Sequence, residues 1–305
     1  MRQTQITRLV YPLAVILLSF LFSTASLLSQ EGDSGNNGSP SPTTTQQKVV
    51  HLIEQSREAA RLGKANEAVK LMNEAVESSP SDISVRLSRA SLYAQLRQYK
   101  NALFDYDAII KVQPKSATLF RVRGGVRFKA GDIQGSIEDF NRCIKINPGI
   151  ERELWERGIS YYYVGEYSKG SAQFKAYQTY SAVDVENIVW RYLCQAKAES
   201  PQAARRDMMP LEGPDRRVPM IQIYNLFRGA GSVEEVLDAV KKGDPNDKEL
   251  GKRLFYAHLY LGIFYEANSD NPRALKHLRE AHRHKIDNYM WDVVHVHLGR
   301  LAKKP

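Results

Sequence analysis

The chain has 305 residues, of which 43% are hydrophobic, and it carries a formal net charge of +9. This length allows one large or two ordinary domains, and the apolar content is ample for a packed core. Only two cysteines occur, Cys143 and Cys194, so the sequence excludes a disulfide framework. We expect Cys143 to be a buried core thiol rather than a reactive group.

The N-terminal segment, residues 1–25, is predicted to be a signal peptide or membrane anchor. Arg2 and Arg8 are followed by a charge-free apolar run over residues 9–30. Small residues at Ser23 and Ala25 fit cleavage by a signal peptidase after Ala25. The run is also long enough to stay in a bilayer as an uncleaved anchor. In both cases we expect the folded part to be exported, either periplasmic or membrane-anchored and facing away from the cytoplasm.

Residues 26–47 are predicted to form a flexible linker. The stretch "QEGDSGNNGSPSPTTTQQ" within it contains almost no side chain that could be buried in a core. Such composition cannot offset the entropy lost on ordering, so we expect a tether between the N-terminal segment and the folded body.

A period of 34 residues runs through the first half of the folded body. Proline, arginine and a large apolar residue each recur at this spacing, which is typical of a solenoid of helix pairs. The recurring residues are Pro80, Pro114 and Pro148; Arg89, Arg123 and Arg157; and Met72, Tyr106, Phe140 and Phe174.

Small residues recur where the two helices of each pair would cross. Their missing or short side chains would let the helix backbones approach each other. Gly63, Gly131 and Gly165 lie in the predicted turns, where glycine adopts a positive φ at low cost. The small residues are Ala90, Gly124 and Gly158 on the first helices, and Ala68, Ala102, Ser136 and Gly170 on the second.

These residues resemble the tetratricopeptide repeat, with its pattern of Leu-Gly, Tyr, Ala, Phe and Pro. The resemblance implies an all-α fold, a right-handed α-solenoid of helix-turn-helix repeats with an irregular helical insertion. It predicts four units over residues 48–182, an irregular helical segment over 183–254, and a fifth unit with a capping helix over 255–305. Departures are local, such as Arg127 in place of the usual tyrosine.

Three helix starts are predicted inside the irregular segment. Asp184 is placed to cap one helix, and the Ser200–Pro201 pair to begin another. Ser232 with Glu235 forms the capping-box pattern before a short third helix.

The order of repeats, helical interruption and late final repeat resembles the bacterial NlpI-type proteins of the cell envelope. This resemblance is loose and covers roughly residues 50–300. NlpI-type proteins are lipoproteins anchored through a cysteine near the N-terminus, whereas the first cysteine here is Cys143. The sequence therefore does not predict that lipid anchor.

No catalytic residue, cofactor site or metal site is predicted. The chain lacks a P-loop, a G-x-S-x-G motif, an H-E-x-x-H motif and cysteines at metal-binding spacing. His282 and His284 are two positions apart on a helix, so they point in different directions and cannot share a metal ion. His277 and His284 share a face, but no third ligand is evident. We expect no enzyme activity.

The resemblance implies a groove lined by the first helices of successive units, which would hold a partner protein or peptide. Arginine, tryptophan and tyrosine are the residue types that most often dominate interface energy. For Tyr162 and Tyr163, packing on the irregular segment is an equally open alternative. The predicted peptide-binding residues are Arg57, Arg61, Leu87, Arg121, Phe128, Lys129, Arg152, Trp155, Tyr162 and Tyr163, with Ile53, Ser91, Gln95 and Ile159 at neighbouring groove positions.

The leading functional hypothesis is an exported, non-enzymatic adaptor or scaffold whose groove recruits a partner, possible partners being an envelope protease or a cell-wall hydrolase. An alternative is direct binding of an anionic cell-wall polymer or a membrane surface through the basic region over 273–305. Self-association into a homo-oligomer is a third hypothesis. No nucleic-acid partner is expected.

Overall fold

The computed structural model describes residues 44–301, and this part of the chain is all-α, as predicted. The predicted signal peptide or anchor over residues 1–25 lies outside the described residues. The first helix within the described residues begins at Thr44, inside the stretch 26–47 predicted as linker. No helix between residues 44 and 301 is both long and apolar enough to cross a bilayer.

Between residues 44 and 301 the helices form four pairs, an irregular insertion, a fifth pair and a final helix. The pairs are α1–α2, α3–α4, α5–α6 and α7–α8; α9 to α12 form the insertion, and α13–α14 form the fifth pair. The α-helices are α1 (Thr44–Arg61), α2 (Ala65–Ser78), α3 (Ile83–Gln95), α4 (Tyr99–Val112), α5 (Ala117–Lys129), α6 (Ile133–Ile146), α7 (Trp155–Tyr163), α8 (Tyr167–Gln178), α9 (Val185–Ala198), α10 (Pro201–Arg206), α11 (Met220–Arg228), α12 (Val233–Lys241), α13 (Asp247–Ala267), α14 (Asn271–Arg283) and α15 (Tyr289–Leu301), with a 3-10 helix at Pro148–Glu153.

Small residues lie at the helix crossings, which confirms the role inferred from the repeat. A Cβ atom added to Gly158 would lie 2.7 Å from Cζ of Phe174, sixteen residues later on the paired helix. In the fifth pair, a Cβ on Gly262 would lie 2.6 Å from Cγ of Leu278. Real Cβ atoms do not approach other atoms this closely, so the pairing distance depends on glycine.

The turn inside each pair contains one residue with a positive φ. Gly63, Gly131 and Gly165 have φ values of 76°, 86° and 82°, as expected for turn glycines. In the second and fifth pairs the equivalent residues are Arg97 (φ 59°) and Ser269 (φ 63°). A residue with a side chain is uncommon in this left-handed conformation.

The periodic arginines tie each unit to the next. Arg123 donates to Asp139 of its own unit at 2.6 and 2.8 Å, and to Asp107 of the preceding unit at 2.6 Å. Arg89 and Arg157 repeat this geometry with side chains sixteen residues later and sixteen residues earlier. Because Asp139 is buried, its charge depends on these donors. The sequence showed the period of these arginines but not this role.

The insertion has the predicted helix starts and a buried ionic cluster. The capping box of Ser232 with Glu235 is present, and the Asp184 and Ser200 side chains cap α9 and α10. Arg217, in the loop before α11, contacts the carboxylates of Asp184, Glu186 and Asp215.

Burial shifts the pKa of an acid in this cluster and of both cysteine thiols. Burial raises the pKa of Glu186, and the positive charge of Arg217 opposes that rise. Both cysteine side chains are buried, so the prediction for Cys143 is confirmed. Burial raises the pKa of each thiol, which makes both poor nucleophiles.

We predict that Arg123→Met lowers the free energy of unfolding by about 3 kcal/mol, because it leaves Asp139 buried without its main partner. Lys145→Met is the matched control, since Lys145 is exposed on the same repeat unit. Urea denaturation measures both. A loss below about 1 kcal/mol for Arg123→Met would mean that the arginine acts only as a surface ion pair.

Candidate functional site

The final helix, α15, lies on the side of the repeats formed by the first helices α1, α3, α5 and α7. We call this side the first-helix face. The ring of Tyr289, at the start of α15, stacks on Phe128 of α5 with centroids 5.5 Å apart. It also meets the edge of Trp155 of α7 at 5.2 Å. The helix therefore occupies part of the surface where the sequence predicts a groove.

A single carboxylate of α15 is held by two cations from different repeat units. Arg97 Nη2 donates to Asp292 Oδ1 at 2.6 Å, and Lys129 Nζ lies 2.9 Å from Asp292 Oδ2. The Tyr99 hydroxyl donates to the same carboxylate at 3.4 Å. Burial, together with the nearby negative charge of Asp292, raises the pKa of Tyr99 to about 12. This cluster joins α15 to the turns of the second and third pairs.

Arg97 makes a second contact with α15. Its guanidinium lies 4.0 Å from the ring centroid of Trp291, a cation–π geometry. The backbone of Arg97 is in the left-handed conformation that glycine adopts in other units. The chain thus keeps a long cationic side chain at a position where glycine would be less strained, and that side chain holds α15.

The C-terminal half of α15 is anchored by a buried polar chain. The Tyr163 hydroxyl lies 2.8 Å from His297 Nδ1, and His297 Nε2 lies 2.8 Å from Glu266 Oε2. The three residues belong to α7, α15 and α13, so the chain links a repeat unit to the fifth pair through the final helix. All three side chains are buried, so the group is inaccessible to a substrate.

We call the surface that carries α15 the helix seat. Each of its residues contacts α15 through an aromatic ring, a charged group or a hydroxyl group. They are Arg97, Phe128, Lys129, Trp155 and Tyr163.

Several predicted groove residues are therefore covered by the chain itself. Phe128 and Tyr163 are buried under α15, Lys129 is paired with Asp292, and Trp155 packs on Tyr289. Tyr162 packs on Trp190 of the insertion with centroids 5.5 Å apart, which is the alternative left open by the sequence. In this structure none of these residues faces an empty groove, and their role in binding a partner stays a prediction.

The remaining predicted residues have other environments. Arg121 forms a bidentate ion pair with Glu156, in which Arg121 Nη2 lies 2.9 Å from Glu156 Oε1. Arg57, Arg61 and Arg152 are exposed. Leu87 is half-buried between two clusters of the core.

We call the part of the first-helix face on α1 and α3 the open surface. It is in the same 34-residue register as the helix seat, but among the described residues no hydrogen bond, ion pair or ring contact joins it to α15. Its residues, exposed or half-buried, are Ile53, Arg57, Arg61, Leu87, Ser91 and Gln95.

Most histidines lie on the last three helices, where they contact one another. His258 Nδ1 is 2.9 Å from His277 Nδ1, and the rings of His258 and His284 are stacked. Burial and the neighbouring His277 lower the pKa of His258 to about 4. Nothing in the sequence singled out His258, because it precedes the basic region over 273–305. Between residues 44 and 301, no group of three or more His, Cys, Asp or Glu side chains is arranged to hold a metal ion.

Residues 87–149 match the family model of the tetratricopeptide repeat. A lipoprotein NlpI homolog of Haemophilus influenzae is 24% identical over 178 residues, which are 58% of this chain and 57% of that protein. The chain thus spans little more than half the length of this relative. A crystal structure of a tetratricopeptide repeat protein from Parabacteroides merdae is similar in fold, with a TM-score of 0.53 and 15% identity. The match covers 84% of this chain and all of that one.

We predict that Arg97→Ala and Arg97→Gly both loosen α15, because each removes the donor to Asp292. Glycine also relieves the left-handed strain, so the glycine variant should be more stable than the alanine variant by about 1 kcal/mol. Urea denaturation measures this difference, and hydrogen exchange of the α15 amides measures the loosening.

The control is Gly131→Ala, at the equivalent turn of the third pair. It should lose about the same 1 kcal/mol without faster exchange in α15. Unchanged exchange of α15 in both Arg97 variants would contradict the role assigned to this arginine.

Proposed function

We propose that this chain, a tetratricopeptide repeat protein, is a scaffold that binds a partner protein or peptide on its open surface. Tetratricopeptide repeat proteins are generally non-enzymatic scaffolds. One observation supports this proposal: α15 covers the helix seat, whereas the open surface of α1 and α3 is accessible. Part of the predicted groove is therefore available without any rearrangement.

The open surface favours a partner segment with acidic and apolar residues. Arg57 and Arg61 are exposed near the end of α1, and arginine is frequent among residues that dominate interfaces. Arg61 is paired with Glu58 at 2.6 Å, but both side chains are exposed, so water screens the pair. Arg61 can thus change partners at little cost. Leu87 offers an apolar contact on the neighbouring helix.

We also propose that the scaffold is exported and recruits an envelope protease or a cell-wall hydrolase. The sequence of residues 1–25 supports export, since two arginines precede an apolar run. The similarity to a Haemophilus influenzae protein named as a lipoprotein supports an envelope location.

The alternative of polymer binding through the basic end has weaker support. Arg273 and Arg283 are each paired with an acid on the same helix or at its cap, Asp270 and Glu280. These acids lower the net positive charge of this end, although both arginines are exposed and can change partners as Arg61 can.

A photo-crosslinking amino acid placed at position 57 or position 95, in living cells, tests the scaffold proposal. Both positions should capture the same partner, because both lie on the open surface. Lys111 and Lys145 are matched control positions, since both are exposed on second helices, α4 and α6.

Arg57→Glu should reduce capture from position 95, whereas Lys111→Glu should leave it unchanged. Equal capture from the control positions, or capture that is insensitive to Arg57→Glu, would contradict the open surface as the binding site.

The same crosslinked complexes also show where in the cell the protein is located. Export predicts recovery in the envelope fraction and, if the segment is cleaved, an intact mass lacking residues 1–25. Recovery of the complexes in the cytosolic fraction would contradict export, but it would not contradict the scaffold proposal.

A further inference from the structure

We propose that the last three helices form an acid-sensitive segment, in which protonation of two histidine pairs loosens α14 from the helices on both of its sides. The inner pair joins α13 to α14 and consists of His258 and His277. The outer pair joins α14 to α15 and consists of His282 and His295. This inference does not rest on the function proposed above, because no residue of the open surface takes part.

The inner pair can hold one proton between its facing nitrogens but not two. His258 Nδ1 lies 2.9 Å from His277 Nδ1, which is a hydrogen-bond distance. A neutral imidazole has one nitrogen that donates and one that accepts, so this contact requires an N–H on one ring and a bare nitrogen on the other. When both rings are protonated, both nitrogens carry hydrogen and both rings are positive, so the contact becomes repulsive.

The outer pair is subject to the same constraint. His282 Nε2 lies 3.3 Å from His295 Nδ1, and the two rings are stacked with centroids 5.4 Å apart. His282 also stacks on Trp291 at 4.5 Å, and the Trp291 indole N–H donates to the backbone carbonyl of His282. His282 is therefore held close to His295 by the packing of α15. Arg97, from the turn of the second pair, adds a positive charge near His282.

The charges around the inner pair are mostly positive, which disfavours a second proton. Glu280 offers a negative charge, but its carboxylate is already paired with Arg283 at 2.7 Å. His284 stacks on His258 with centroids 6.4 Å apart, and it adds a further positive charge when protonated. The charged and titratable groups recorded around the inner pair are Arg273, Lys276 and Glu280 of α14, His284 at the end of α14, and Tyr265 of α13, whose uncharged ring stacks on His277.

These surroundings keep the rings neutral in the folded protein at a pH where the unfolded chain is protonated. Burial and the neighbouring His277 lower the pKa of His258 to about 4, and burial lowers the pKa of His277 and of His282. In an unfolded chain a histidine has a pKa of about 6.5. Below about pH 6.5 the opened state therefore binds more protons than the folded state, so the folded state loses stability as the pH falls toward about 4.

We expect this loss to be local, because α14 carries one member of each pair. Repulsion acts on its contact with α13 and on its contact with α15 at the same time. Leu278 and Ala281 of α14 are buried in the main core cluster, and these apolar contacts do not depend on pH. Acid should therefore raise the frequency of local opening of α14 and leave the pairs from α1 to α8 in place.

Hydrogen exchange of the α14 amides in full-length protein, at pH 7 and at pH 5, tests the proposal. Each rate is divided by the rate of an unstructured peptide at the same pH, which gives a protection factor. Protection of α14 should fall by at least about tenfold, because each excess proton bound by the opened state contributes a factor of about ten per pH unit. Protection of α4, which carries no histidine, should stay unchanged.

Replacing one member of each pair should remove most of this pH dependence. In His277→Gln/His282→Gln protein no pair can hold two positive charges, so protection of α14 should fall by less than about threefold over the same interval. His258→Gln/His295→Gln removes the partners on α13 and α15, and it should behave in the same way if the first double variant does not fold. His51→Gln is the matched control, since His51 is exposed on α1, and it should keep the wild-type fall.

Unchanged protection of α14 between pH 7 and pH 5 in wild-type protein would overturn the proposal. An equal fall in wild type and in the double variants would place the acid sensitivity outside the two pairs, for example at His297, and would overturn it as well. An equal fall in α4 and α14 would mean that acid opens the whole repeat array, which would contradict a device confined to the last three helices.

Discussion

The contact of Asp292 with Arg97 and Lys129 determines which part of the repeat array is accessible. It joins residues almost two hundred positions apart, and it brings the end of the chain onto the first helices of the early units. Because the pair is only partly exposed, water and salt screen it less than an ordinary surface pair. The first-helix face is thereby divided into a covered seat and an open surface.

The repeats can carry such a division because each unit is held by local interactions. Glycine at the crossings sets the distance within a pair, and each arginine at 34-residue spacing binds one side chain of its own unit and one of the preceding unit. These contacts involve only neighbouring units, as is typical of solenoids. A helix can therefore lie on one face without changing the order of the pairs.

The sequence predicted the periodic features and the helix starts marked by local capping patterns, and it missed contacts between distant segments. The 34-residue period identified the first four helix pairs, their crossings and their turns, although glycine occupies the turn in only three of these four units. The position of α15 could not be read from it, because Asp292 and Arg97 belong to no common pattern. Sequence reasoning therefore placed Phe128 and Lys129 in a groove, where the structure has an internal helix. A signal did exist: Arg97 stands at a position that is glycine in three other units.

The most direct test of this account is a double-mutant cycle across the contact between α5 and α15. Lys129→Asp and Asp292→Lys are made singly and together, and urea denaturation measures the free energy of unfolding. The account predicts that each single change destabilises the protein and that the exchanged pair recovers stability, with a coupling energy of about 1–3 kcal/mol. Losses that add to within about 0.5 kcal/mol would show that α15 does not lie on the seat.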